Sequence, residues 1–275
     1  MTTRRPLRLA CLGLALCAVL TGCAGTGSPE QAPGGATASS PAPGESAQPA
    51  EPPRSATPSP SGETAPGDDA GSPRPDASAP ALDDPAVEDP ASPSVLVNKA
   101  RPLDPLDWAP HDLVDVAGVQ LRAEAAGAAE GMIAAAGADG VDFTLISGYR
   151  SYAEQERTYG SWVAAQGQES ADNASARPGH SEHQTGLAAD IGQRGGCDLQ
   201  VCFAETDAAD WVAEHAAEHG FIVRYPWWEH ETTGYWYEPW HLRYVGAETA
   251  RAYAASGAAS YEEFLGAPAA PDYAA

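Results

Sequence analysis

The sequence predicts an α+β domain, a small mixed sheet flanked by helices, carried behind a long disordered tether. Two observations point there. Sixteen of the 25 prolines fall between Pro29 and Pro93, while all seven tryptophans lie beyond residue 95. In that second part, helical and extended patterns follow one another without the regular alternation of a doubly wound fold. About 170 residues from Val95 onward suffice for a core of their own.

The elements are taken in chain order. Residues 1–23 read as an export signal. Arg4, Arg5 and Arg8 precede an apolar run from Leu9 to Leu20, shorter than the ~20 residues a membrane span needs. The run ends in Leu20-Thr21-Gly22-Cys23, which resembles a bacterial lipobox, so Cys23 is expected to carry lipid and anchor the chain to a membrane. Residues 24–94 are rich in Pro, Ala, Ser and Gly and poor in large apolar side chains. Such a segment cannot bury enough surface to offset chain entropy and is expected to be a disordered linker. As a coil of about 70 residues it would span roughly 45–50 Å, and stretched as polyproline roughly 200 Å. The globular domain is expected over 95–266, with a disordered tail over 267–275.

Within the domain, Leu121 to Ala136 has helical spacing. Phe143 to Ser147 reads as a short strand ending at Gly148, and Ser151 is placed to cap a helix running to Gln166. Residues 167–182 read as a polar loop. Leu187–Ile191, Phe221–Tyr225 and Tyr235–Val245 read as strands. Asp207–His219 reads as a helix stopped by Gly220, and Ala247–Ala255 as a closing helix.

Charge narrows the functions. The net charge is −23, and from residue 99 onward ten Lys and Arg face 27 Asp and Glu. Nucleic-acid binding is therefore not expected. Cys197 and Cys202 are the two cysteines left beyond the signal and Cys23. In an exported chain they suit a disulfide, and they lack the second cysteine pair that a structural zinc site would use.

Two histidine constellations compete as metal sites. His183, Asp190 and His241 offer two imidazoles and a carboxylate, the donor set of a catalytic zinc that keeps one position open. Gly186 allows a sharp turn between the first two. Glu238, three residues before His241, is the candidate general base. Residues three apart on a regular strand face opposite sides, so convergence requires a bend at Pro239. The rival is "HAAEH", His215 to His219, which fits an inverted zincin pattern. Its His219 also suits the last turn of a helix, where a cation meets the helix dipole.

"SGYRSYAEQ" (147–155), "PGHSEHQTGLAADIG" (178–192) and "YEPWHLRYVG" (237–246) appear in this order. Together they resemble the VanY-type D-alanyl-D-alanine carboxypeptidases, members of the LAS metallopeptidases, whose fold is shared with hedgehog signalling domains. The entry stretch "LVNKARPLDP" (96–105) is similar too. The resemblance implies Zn2+ held by His183, Asp190 and His241, with Glu238 as base. It implies Arg150 beside the reacting carbonyl or the substrate carboxylate, and Ser181 and Gln155 at substrate-contacting positions. An arginine after Gly-Tyr at a strand end suits bidentate contact with an anion, and also suits a surface ion pair. Trp227, Trp228 and Trp236 fit either a substrate groove or the core. The implied activity is removal of the terminal D-alanine from peptidoglycan stem peptides; the lipobox adds the expectation of an extracytoplasmic, lipid-anchored chain facing the cell wall, and a monomer is expected. An L,D-carboxypeptidase or endopeptidase of the same family, and a non-catalytic wall-binding lipoprotein with structural zinc, are the alternatives.

Overall fold

A computed structural model describes residues 80–274. The signal, Cys23 and most of the linker lie outside them. The ordered part opens earlier than Val95. Leu82 and Val87 are the large apolar residues of that approach, and they pack with Ile222, Val245, Tyr261 and Leu265 in a second small core. The Leu82 amide donates to the Leu265 carbonyl at 2.9 Å. The linker boundary at residue 94 is thus corrected to the low eighties.

Strands β1 (Leu113–Val116) and β2 (Val119–Arg122) form an antiparallel hairpin. Its two-residue turn is Ala117-Gly118, both at positive φ, which matches the twist of the paired strands. Helix α1 (Ala123–Ala138) follows directly. The helix expected from Leu121 therefore starts two residues later, because Leu121 belongs to β2. Ala125, Ala129, Met132 and Ala136 recur every three or four residues and turn one face to the main core.

Four further strands make the central sheet: β3 (Thr144–Ser147), β4 (Ala188–Gly192), β5 (Phe221–Tyr225) and β6 (Glu238–Tyr244), in the order β3-β4-β6-β5. The sheet expected to be mixed is antiparallel at every described pairing. Antiparallel ladders set opposed residues side by side. In this way Ser147, Asp190 and His241 form one row across three strands.

Helix α2 (Tyr152–Gln166) begins with a full capping box, Ser151 with Glu154, which satisfies two otherwise unpaired amides. The stretch read as a loop after it contains α3 (Gln168–Ala174). Helix α4 (Asp207–His215) stops earlier than expected, giving way to a 3-10 turn over Ala216–His219 that closes on left-handed Gly220. Short α5 (His230–Thr233), α6 (Ala247–Ser256) and α7 (Tyr261–Leu265) complete the domain.

The tail expected to be disordered over 267–275 instead docks as far as it is described. Ala270 is buried, and its amide donates to the Thr232 carbonyl at 2.8 Å. Gly234 makes room for it, since a Cβ there would meet the Ala270 carbonyl. Tyr273 supplies the anchor. Its hydroxyl accepts from the Arg177 amide at 2.8 Å, and the Arg177 guanidinium lies 4.0 Å from its ring centroid. One aromatic ring, with a guanidinium near it and an amide bonded to its hydroxyl, offsets the low hydrophobicity of the segment.

Candidate metal centre

The local chain explains how each ligand is aimed. Ser181 leads into a 3-10 turn, Glu182–Thr185, which ends on Gly186 at φ +70. A Cβ at Gly186 would crowd Arg122 and Leu113, so the turn requires glycine there. The turn buries His183 and delivers the chain into β4, where Asp190 sits opposite His241 of β6. The bend required near Pro239 is present. Between the pairs Val223↔Leu242 and Tyr225↔Glu238, β5 advances two residues and β6 four. Proline has no amide to give to a ladder, and the bulge brings Glu238 Oε2 to 3.7 Å from His241 Nδ1.

His183, Asp190 and His241 each contribute a donor atom within 4.8 Å of the others, and all three are buried. The hydrogen bonds fix which atoms face inward. His183 Nδ1 lies 2.8 Å from the Gly148 carbonyl, which can only accept, so this nitrogen carries the proton. Its Nε2 lone pair then faces Asp190 Oδ2 at 3.4 Å. His241 Nε2 lies 3.3 Å from Glu182 Oε2 and donates to it, which leaves Nδ1 toward Asp190 Oδ1 at 3.2 Å. Ser147 Oγ donates to Asp190 Oδ2. Asp190 Oδ1 is the one buried side-chain polar atom among the described residues without a hydrogen-bond partner. Lone pairs facing carboxylate oxygens, one of them orphaned, repel unless a cation lies between them. The donor set therefore fits a divalent metal.

The electrostatics agree. Burial keeps the His183 imidazole below its usual value, as a neutral ligand requires. His241 goes the other way: despite burial, Asp190 and Glu182 raise it to about 9, so without an ion its Nδ1 would take up a proton, positive charge in the place a metal would fill. Burial opposes ionisation of Asp190 too, yet protons on the facing imidazole nitrogens, standing where a cation would, hold its carboxyl well below the usual range. Glu238 has no guanidinium bound to it, and burial pushes its carboxyl up to about 8.

These groups form the floor of a cleft of about 390 Å³, walled by Arg150, Ser181, Tyr225, Tyr235, Trp236 and Trp240. Leu199 and Val201 hang over it from the loop that the Cys197–Cys202 disulfide closes. Of the three tryptophans left between groove and core, Trp236 lines the cleft, while Trp227 meets both Trp228 and Tyr237 edge to face, and Trp227 and Trp228 are exposed.

One expected substrate contact is corrected. Gln155 is fully buried behind the cleft wall. Its Oε1 accepts from Arg150 Nη1 at 2.9 Å, and its Nε2 donates to Ser175 Oγ and the Ala176 carbonyl. With its amide taken up it supports Arg150 and cannot reach a ligand. The rival "HAAEH" does not assemble. His215 ends α4, His219 lies in the 3-10 turn, both stack on Trp211, and His215 pairs with Glu218 at 3.4 Å. Sequence reasoning missed Glu182. Its one local feature, an acid adjoining a ligand histidine in a polar stretch, does not point to the distant arginines it meets.

Two buried imidazoles and a carboxylate on the floor of a cleft, with an acid beside them and a guanidinium in the wall, make a candidate metal site in an α+β domain. Comparisons narrow the class. A sequence model of the VanY family, D-alanyl-D-alanine carboxypeptidase, matches residues 118–247. The chain is 40% identical over 176 residues to the putative carboxypeptidase YodJ of Bacillus subtilis, a match covering 60% of this chain and 64% of that protein, just under two thirds of its length. Among solved structures it resembles the LdcB LD-carboxypeptidase, with a TM-score of 0.60 and 39% identity over 64% of this chain and 87% of that one. It also resembles the vancomycin-resistance D,D-pentapeptidase VanY of a VanB-type cassette, solved with Zn(II), with a TM-score of 0.55 and 33% identity over 64% and 99%. The chain belongs to the VanY family of carboxypeptidases.

Proposed function

We propose that this protein is a zinc-dependent D-alanyl-D-alanine carboxypeptidase that removes the terminal D-alanine from peptidoglycan stem peptides. The observation that carries the reading is the convergence of His183, Asp190 and His241 on one point, with Glu238 beside it on the cleft floor. Zn2+ bound by these three would supply a Lewis acid that polarises the scissile carbonyl and acidifies water. Glu238 takes the proton of the attacking water and returns it to the leaving amine. Burial raises its carboxyl, and a dication bound beside it would draw it back toward the ionised form that a base needs. The Arg150 guanidinium, steadied by Gln155, faces the oxygen on which negative charge develops. Ser181 and the aromatic walls orient the peptide.

A specific observation supports a second reading, an L,D-carboxypeptidase acting on the tetrapeptide stem: LdcB, named an LD-carboxypeptidase, is 39% identical to this chain and similar to it in fold. Incubation with pentapeptide and tetrapeptide stems, read by mass spectrometry with and without a chelator, separates the two. Loss of D-alanine from the pentapeptide alone supports the first reading, and loss from the tetrapeptide alone replaces it by the second. Cleavage of neither by zinc-loaded protein overturns both. His183→Ala should abolish zinc uptake, which elemental analysis would show. Lipid anchoring through Cys23 and an extracytoplasmic site belong to the same proposal. The Cys197–Cys202 disulfide supports them, because such bonds persist in oxidising compartments.

A further inference from the structure

Behind His241 the fold gathers four charges with no exposure at all: Glu182, Arg224, Arg243 and Glu262. Glu182 Oε2 accepts a hydrogen bond from His241 Nε2 at 3.3 Å. Its other oxygen, Oε1, accepts from Arg224 Nε at 2.8 Å and Arg243 Nη1 at 2.9 Å. Arg224 turns its remaining nitrogens to Glu262 of α7, Nη1 to Oε2 at 2.9 Å and Nη2 to Oε1 at 2.6 Å. Asn98 Nδ2 adds a bond of 3.1 Å to Glu262 Oε1. Arg243 Nη2 is fastened to the carbonyls of Pro93 and Val95.

We infer that Arg224 and Glu262 are positioning residues for the metal, acting through Glu182 on His241, so that α7 helps set how tightly the ion is gripped. The inference rests on the zinc reading above. Two carboxylates and two guanidiniums sum to zero, so Glu182 stays ionised and its Oε2 stays free to receive the His241 N–H. Removing the Glu262 charge changes this balance. Arg224 is then left with Glu182 as its one anionic partner and competes with His241 for it. A net positive charge also stands behind a site that must hold a dication. Outer partners of this kind fix a ligand's tautomer and basicity and commonly change metal affinity 10- to 100-fold (roughly) when lost. A buried ion quartet is by itself a poor source of stability compared with apolar packing, so a role in the site accounts for it better than a role in the core. Glu262 lies beyond residue 247, where the family match ends, and Pro93, Val95 and Asn98 lie before residue 118, where it begins. The shell around His241 is completed by both flanks of the matched region.

The test uses the full-length chain. Zn2+ affinity, measured by competition with a chromogenic chelator, should fall about tenfold in Glu262→Gln. In Co2+-loaded protein, the exchangeable imidazole N–H resonances of the two ligands separate a local effect from a global one. The His241 proton should shift, and the His183 proton, given to the Gly148 carbonyl, should stay. If Glu262→Gln does not fold, Asn98→Ala removes one bond from Glu262 and should move the same His241 resonance with a smaller loss of affinity. A wild-type chain that takes up no Zn2+ overturns the metal reading, and the relay with it. A wild type that binds, beside variants that bind equally tightly with an unmoved His241 proton, overturns the relay alone.

Discussion

Glu182 and Glu238 approach the same imidazole from opposite sides, 3.3 Å from its Nε2 and 3.7 Å from its Nδ1. Burial acts on both in the same direction, against the charged form. They still end in opposite states. Arg224 and Arg243 hold Glu182 ionised far below the usual range, while Glu238, with no bonded cation, is pushed up to about 8. Partners, and not depth, decide which acid is fixed and which can exchange a proton. The rear face of His241 is a locked electrostatic frame, and the front face is where chemistry can occur.

The contrast can be broken in several ways. The largest effect is expected at the front. Glu238→Gln should lower turnover by about 10²–10⁴ with zinc content unchanged, and a variant as active as wild type would remove the distinction between the two acids. At the rear, Glu182→Gln strips a shared acceptor from two buried guanidiniums. Urea unfolding should show a loss of about 3–5 kcal/mol, whereas wild-type stability would mean that the frame is not needed. A smaller effect sharpens the front face. Gln155→Ala frees the Arg150 guanidinium and should lower kcat roughly tenfold through misplacement, with zinc affinity untouched. A loss of zinc instead would place Gln155 on the wrong side of the comparison.

The smallest expected effect is on stability against pH, in chelator-treated protein. Folded Glu238 keeps its proton up to about pH 8, whereas an ordinary glutamate gives it up near 4.5. Between those values the native state binds more protons than the unfolded chain, so stability falls as pH rises through the window. Glu238→Gln should therefore melt above wild type on the alkaline side of the window and together with it on the acid side. Coinciding curves throughout would show that burial does not raise this carboxyl.

The front face was legible in the sequence and the rear was not. His183, Asp190, His241 and Glu238 sit in short stretches that the sequence singles out and the structure brings together, and Ser151 was read as a cap, which Glu154 completes in the structure. Glu182 gave no such sign, because its meaning lies in Arg224, Arg243 and Glu262, which are 42, 61 and 80 positions away in the chain and meet it only after folding. Gln155 misled for a related reason: its place in a motif shows that it matters, and only the packing shows that it faces Arg150 rather than the cleft. The β1–β2 hairpin turns on Ala117-Gly118, a weaker turn signal than Asn-Gly. The docked tail depends on Tyr273 finding Arg177, a contact no local pattern encodes.

The bulge in β6 adds a further vulnerability. Glu238 reaches His241 because the strand carries surplus backbone around Pro239, so the aim of the acid depends on how many residues are threaded there as well as on which ones. Excising Pro239 or Trp240 would leave every reactive side chain in the chain and still swing the carboxyl out of register. In this segment, losing one link should be more harmful than altering one.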